Sequence, residues 1–314
     1  MKQYNRRHVR QHFSQAAERY DEAAVLQKDL AAQIAQRLQL VKLDVNRVLD
    51  LGAGTGFLTE KLKVLYPQAQ VVALDISEQM LAINARRLAR PRQAWLPKAW
   101  AQKLGWMCCA ADLIQADAYA LPLADGSVDL IVSNLMLQWC DDLDAVFAEM
   151  RRVLRPQGVL MFTSLGPDTL KELRQAWVEV EGDAGHQRMN QFIDMHDLGD
   201  ALIRSGFGQP VMDVAHYTLT YEKPLGVLQD LKAIGATNAQ QQRGRGLTGK
   251  ARFAAMLNVY ESLRREGRIP ATYEVVHGHA WASEEVFKGP NRSKSGVHEI
   301  TLEQFQSHLK SRSV

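Results

Sequence analysis

The stretch Val48-Leu49-Asp50-Leu51-Gly52-Ala53-Gly54-Thr55-Gly56-Phe57-Leu58-Thr59 decides how this 314-residue chain is read. An apolar run broken by one acid ends in glycines at every second position, and a helical apolar pattern begins at once. The order is strand, turn, helix. Glycine adopts backbone conformations that other residues avoid, and a helix start presents N–H groups, so this turn offers bare main chain to a ligand. The spacing is G-x-G-x-G; Phe57 stands where a dinucleotide-binding G-x-G-x-x-G carries its helix-packing glycine. An ordinary glycine turn is the alternative, and a second element weighs against it. Val71-Val72-Ala73-Leu74-Asp75-Ile76-Ser77 is a β-rich run ending in an acid nineteen residues after Gly56, the span of one helix and one strand. A carboxylate at that strand end can accept both ribose hydroxyls of a nucleoside. As a plainer alternative, Asp75 is a turn residue or caps the next helix.

Taken together, the glycine spacing and the two acids resemble motif I and the following acid of the class I S-adenosylmethionine (SAM) methyltransferases. The resemblance implies an α/β, Rossmann-like fold with a seven-stranded, mostly parallel sheet. It implies SAM as cofactor, without a metal, held by Asp50, Gly52, Ala53, Gly54, Asp75, Ile76 and Met80. Asp117, in Gln115-Ala116-Asp117-Ala118, follows the third strand, where such enzymes hold the adenine amino group; Ala118 and Gln27 join the same set. Asn134 closes the fourth strand, where the ligand crevice of an open α/β sheet lies. A strand-end turn for Asp117 and a helix start for Asn134 remain the alternatives.

Bulk composition bounds the rest. Hydrophobic residues make up 46% and charged residues 23%, a globular balance able to bury a sizeable core. A net charge of +3 is too small to imply nucleic acid, and no apolar run reaches membrane-spanning length. The basic N-terminus lacks an apolar signal core, so a cytoplasmic protein is expected. Cys108, Cys109 and Cys140 have no metal-like spacing and read as free thiols.

Residues 7–40 read as helix and 1–41 as a helical cover of the site. Strands are expected near 47–51, 70–75, 113–115, 128–133 and 159–164, with helices at 57–65, 78–88 and 143–153 between them. That alternation predicts a parallel sheet covered on both faces, with the core spanning 42–222. Helices at 169–181 and 195–206 and a strand at 210–221 follow. Residues 223–270 form a basic helical lid inserted before a final strand, 271–283, whose extended run is clearest from Tyr273. Residues 90–111 read as an insertion, and 284–314 as a polar extension with a helix near 301–310.

Several segments outside the glycine turn are similar to one family, the malonyl-[acyl-carrier protein] O-methyltransferases of biotin synthesis. They are Phe13-Ser14-Gln15-Ala16-Ala17-Glu18-Arg19-Tyr20 through Gln27, Ser133-Asn134-Leu135 with Gln138-Trp139-Cys140, Leu231-Lys232-Ala233-Ile234-Gly235-Ala236-Thr237-Asn238, and Pro270-Ala271-Thr272-Tyr273-Glu274. The 90–111 insertion and the tail after Ser283 depart from the pattern. The resemblance implies methylation of the free carboxyl of a malonyl thioester on acyl-carrier protein, an early step of pimeloyl formation. A carboxylate is ionised at neutral pH and needs no general base, which agrees with the absence of an obvious one near the fourth strand. Substrate positioning is then assigned to Tyr20, Gln138, Trp139 and Lys232. Acyl-carrier proteins are acidic, so Arg243, Arg245, Lys250, Arg252, Arg264, Arg265 and Arg268 form the expected docking face. A solvated helix face is the alternative. Nucleic acid is disfavoured because no aromatic residues interleave the arginines, and no membrane partner is expected; a monomer is. Two other functions stay open: methylation of a free small acid or other metabolite, and a non-catalytic assembly factor on the same fold.

Overall fold

The computed structural model describes residues 4–89, 111–239 and 249–282. Helices α1 (Arg6–Ala23) and α2 (Val25–Leu38) precede strand β1 (Arg47–Leu51). Then come α3 (Phe57–Leu65), β2 (Gln70–Asp75), α4 (Glu78–Leu88), β3 (Asp112–Gln115) and β4 (Val128–Asn134). After them run α5 (Leu143–Val153), β5 (Leu154–Leu165), α6 (Lys171–Glu181), α7 (Met195–Arg204) and β6 (Gly208–Tyr221). The segment expected as a lid holds α8 (Pro224–Ala233) and α9 (Lys250–Ser262), and β7 (Ile269–Trp281) closes the sheet.

The seven strands lie in the order β3-β2-β1-β4-β5-β7-β6. The first five are parallel, and β7 runs antiparallel to both β5 and β6. Chain order reverses between β1 and β4, and this is where an open sheet leaves a crevice at its carboxyl ends. Alternation of side chains feeds two cores. Leu49, Leu51, Leu74 and Ile131 pack against Phe147 of α5, whose ring lies 5.9 Å from Phe162 and 6.2 Å from Phe207. Val48, Val71, Leu130 and Val132 face α2 and α3 on the other side. A third cluster joins the lid to α6 and β7 around Tyr260, whose hydroxyl donates to the Pro270 carbonyl at 2.8 Å.

The expected strand–helix order is present, with three adjustments. The N-terminal helix is two helices, broken at Ala24, whose ψ of 49° leaves the helical region while the apolar spacing runs on unchanged. Strand β5 begins at Leu154, so Arg155-Pro156-Gln157-Gly158 lies inside it as an irregularity and not before it. Strand β7 begins at Ile269, since its first residues pair with β6 alone before β5 joins at Val275. Among the described residues the segment expected as a helical lid holds α8 and α9. The 90–111 insertion, apart from Ala111, lies outside the described residues, as do Cys108, Cys109, Arg243, Arg245 and the 284–314 extension.

Candidate functional site

All three glycines of the turn have positive φ, at 77°, 54° and 92° for Gly52, Gly54 and Gly56. Their reasons differ. A Cβ on Gly52 would lie 2.5 Å from Met136 Cγ, and one on Gly56 would strike the Asn84 amide. A Cβ on Gly54 would meet nothing within 4 Å. Two glycines therefore serve packing, and the middle one leaves open space beside the main chain.

Asp75 fixes that main chain. Its Oδ2 accepts from Gly54 N at 2.9 Å and its Oδ1 from Ser77 N at 2.8 Å. Burial raises the Asp75 pKa, and these backbone donors pull against the rise. Beneath the turn, Asp50 is 1% exposed; Thr59 Oγ1 donates to its Oδ2 at 2.6 Å, and Asn84 Nδ2 donates on to Thr59 at 3.0 Å. Its Oδ1 has no hydrogen-bond partner, and burial pushes its pKa up to about 7.

Above the turn lies a cleft of about 790 Å³. Of the expected cofactor residues, Gly52, Gly54, Asp75, Ile76, Met80, Asp117, Ala118 and Asn134 line it. Ala53 and Asp50 do not; they stand behind the turn, with Ala53 7% exposed. Asp117 pairs with Arg6 at 2.8 Å, and that guanidinium also sits 4.7 Å over the Tyr119 ring. The Asn134 amide is used within the protein. It donates to the Gln27 carbonyl at 2.9 Å and accepts from Thr163 Oγ1 at 2.8 Å, so its side chain tethers α2 to β4. Gln27 itself borders a second cleft.

That second chamber, about 1180 Å³, is bordered by Tyr20, Gln138, Trp139 and Lys232, the four expected positioning residues. Phe13, Tyr20, Leu135 and Trp139 line both cavities and form the wall between them. Trp139 is held edge-on by Phe13 at 5.3 Å. Gln138 is buried, and its Oε1, an acceptor, has no hydrogen-bond partner within the protein. Burial, then the charges of Asp75 and Asp21, raise the Tyr20 pKa, so its hydroxyl keeps its proton. The remaining walls are largely apolar, among them Leu26, Leu173, Trp177, Leu228 and Phe253.

The family described as Methyltransferase domain matches residues 49–162, the segment holding β1 through most of β5. The chain is 51% identical over 273 residues to the malonyl-[acyl-carrier protein] O-methyltransferase of Gallionella capsiferriformans (strain ES-2), covering 87% of this chain and 89% of that one. It belongs to that methyltransferase family. The same-named protein of Legionella pneumophila is 40% identical, with 86% of this chain and 88% of that one covered. Among solved structures, YcgJ from Bacillus subtilis matches with a TM-score of 0.52 at 14% identity, over 80% of this chain and 98% of that one. A putative methyltransferase from Bacillus halodurans gives 0.52 at 18%, over 80% and 99%. Both agree with the class I methyltransferase fold.

For a member of the malonyl-[acyl-carrier protein] O-methyltransferase family, the basic surface needs qualification. Lys250, Arg252, Arg265 and Arg268 are exposed. Arg264 is tied down, donating to Glu261 at 2.5 Å and to the carbonyls of Gly267 and Glu222, so it locks the end of the β6–β7 hairpin. Arg252 lies 3.9 Å from Glu181, and Arg268 3.7 Å from Glu222. Sequence reasoning missed Arg6 and Arg188 as lining residues. Arg188 borders the second chamber but is engaged by Glu181 at 2.6 Å and lies 5.2 Å over the Trp177 ring. No periodicity marks either arginine. Among the described residues no group of His, Cys, Asp and Glu is arranged to hold a metal, Cys140 is a buried free thiol, and no helix is long and apolar enough to cross a membrane.

Proposed function

We propose that this chain transfers a methyl group from SAM to the free carboxylate of a malonyl thioester carried by acyl-carrier protein. Two cavities meeting at one wall carry the reading: one beside bare glycine backbone and a ribose-type acid, the other largely apolar with Tyr20, Gln138 and Lys232 in its lining. The named activity of relatives up to 51% identical supports it. SAM fits the first cleft because Gly54 leaves its side-chain space open and Asp75 stands at the strand end. Asp75 would take the ribose hydroxyls, Asp117 the adenine edge, and Ile76 and Met80 the faces of the base. Bound there, the cofactor supplies an electrophilic methyl carbon.

The protein's own part is alignment and exclusion of water. A malonyl carboxylate, with a pKa near 4, arrives ionised and requires no base. The protonated Tyr20 hydroxyl in the dividing wall and the Gln138 Nε2 amide in the second chamber are the donors that orient its oxygens. The apolar chamber strips hydration that would blunt the nucleophile. Lys232, exposed at the rim, attracts the anion without burying a permanent charge pair. The methyl ester formed is neutral, loses that attraction and leaves. In the same division of labour, residues 1–41 cover the site, 42–222 form the core, and 223–270 the lid. The enzyme is then a cytoplasmic monomer that engages neither nucleic acid nor membrane, which sedimentation and cell fractionation test.

The direct test is transfer of labelled methyl from SAM to malonyl-, succinyl- and acetyl-carrier protein in parallel. Malonyl is expected to be the best acceptor, succinyl weaker, and acetyl, which lacks a free carboxyl, inert. Equal labelling of acetyl, or none of malonyl, would overturn the proposal. Docking is tested separately by Lys250→Glu combined with Arg265→Glu, which avoids the structural Arg264. At low salt we expect kcat/KM for the carrier-bound substrate to fall about tenfold with SAM affinity unchanged, and the difference to shrink as salt screens it. No change at low salt would remove this face from the docking surface.

A further inference from the structure

We propose that Arg87 is a positioning residue that fastens the cover helix α1 to the glycine turn and so sets the wall between the two cavities. The proposal rests on the reading of the first cavity as the cofactor site. Arg87 lies on α4, outside both cavities, with its side chain 15% exposed. Its Nε donates to the Thr55 carbonyl at 2.8 Å, between Gly54 and Gly56, and its Nη2 pairs with Asp21 on α1. The guanidinium lies over the Phe57 ring at 3.9 Å, with Glu60 3.9 Å from Nη1. Lys28 of α2 approaches the same ring at 5.1 Å.

Phe57, the residue that breaks the dinucleotide-type spacing, thus serves as an aromatic platform for a cation. A planar fork can hold a carbonyl and a carboxylate at once, which an ammonium cannot do with the same geometry. Two other contacts run along the same face of α1: Ser14 Oγ to Ser77 Oγ at 2.9 Å, and Glu18 to Arg86 at 3.0 Å. The Glu18–Arg86 pair is exposed and contributes little. The half-buried Arg87 carries the coupling.

What α1 carries makes the coupling matter. Phe13 and Tyr20 line both cavities. On the lid side, His12 Nδ1 meets Thr237 Oγ1 at 2.8 Å, and Asn5 N donates to the Ala239 carbonyl at 3.3 Å. Ordering of the glycine turn by a ligand is therefore felt by α1 through Arg87, and by the lid segment of residues 235–239 through α1.

The test compares the wild-type chain with Arg87→Met, Arg87→Lys and the milder Asp21→Asn. SAM is titrated by calorimetry, amide hydrogen exchange is followed with and without SAM, and methyl transfer to malonyl-carrier protein is measured at saturating SAM. In the wild type, SAM should slow exchange across residues 12–21. In all three variants that protection should be lost; Arg87→Met should also bind SAM about tenfold more weakly and lose about tenfold in kcat, because the wall is misplaced. Retained protection with saturated kcat within about twofold of wild type would overturn the proposal, as would full rescue by lysine. Failure of the wild type itself to bind SAM would overturn the cofactor reading instead.

Discussion

Gly54→Val is expected to give a folded protein that does not bind SAM. The φ of Gly54 is 54°, in the left-handed region, so an L-residue there costs about 1–2 kcal/mol. No atom lies within 4 Å of the added Cβ, so the Cβ itself adds no clash to that strain. The valine methyls instead occupy the cleft beside the main chain. Affinity should fall by at least about a hundredfold, roughly 3 kcal/mol or more, while the thermal midpoint drops only a few degrees. Gly52→Ala and Gly56→Ala form the contrast, because their Cβ atoms collide with Met136 and Asn84 and should depress stability as well as binding. Calorimetric titration beside thermal melts separates the two patterns. Unaltered affinity in Gly54→Val would remove the cofactor from this turn.

Asp50→Asn should make the protein more stable at neutral pH and worse at binding SAM. Burial lifts the Asp50 pKa to about 7, Thr59 restrains the rise, and the charge of Asp75 adds to it. An unfolded aspartate titrates near 3.9, so the folded state holds this proton more tightly. The associated stability is complete below about pH 4 and is lost as pH climbs through about 7, a total of order 4 kcal/mol. Asparagine can still accept from Thr59 and carries no charge to desolvate. Variant and wild type should therefore match in acid and diverge upward, with the variant ahead at pH 8. Binding runs the other way. A ligand bearing sulfonium and ammonium charges favours the ionised carboxylate, so wild-type affinity should rise as pH climbs toward about 7, by at most about tenfold per unit, and the variant should be weaker and flat. A flat wild-type profile would show that Asp50 does not sense the ligand.

The sheet was legible because its central strands are buried on both faces and read as short apolar runs closed by turn residues, as at Val48–Leu51 and Val128–Ser133. The glycine turn was legible because its conformation admits few residue types. Boundaries set by partners were not: β7 extends back to Ile269 because β6 pairs with it there, and nothing in Ile269-Pro270-Ala271 announces that partner. Ala24 breaks a helix without interrupting its apolar spacing. Within the site, Tyr20, Gln138, Trp139 and Lys232 border one chamber. The arginines escaped notice because long charged side chains carry no periodic signature, and whether each reaches water or a distant carboxylate depends on tertiary packing. Arg87 and Arg6 both find acids far along the chain.

The hairpin of β6 and β7 has a consequence for how such a molecule can be altered. Tyr221 and Ile269 face each other in register, so residues 222–268 depart from the sheet and return to it at a single rung. Everything that roofs the second chamber from that side joins the sheet at that one rung and otherwise rests on side contacts such as Thr237 with His12, while the residues lining the first cleft all precede it. Exchanging this cassette is therefore a route to altered acceptors, provided the replacement keeps the contacts that Thr237 and Ala239 make with His12 and Asn5.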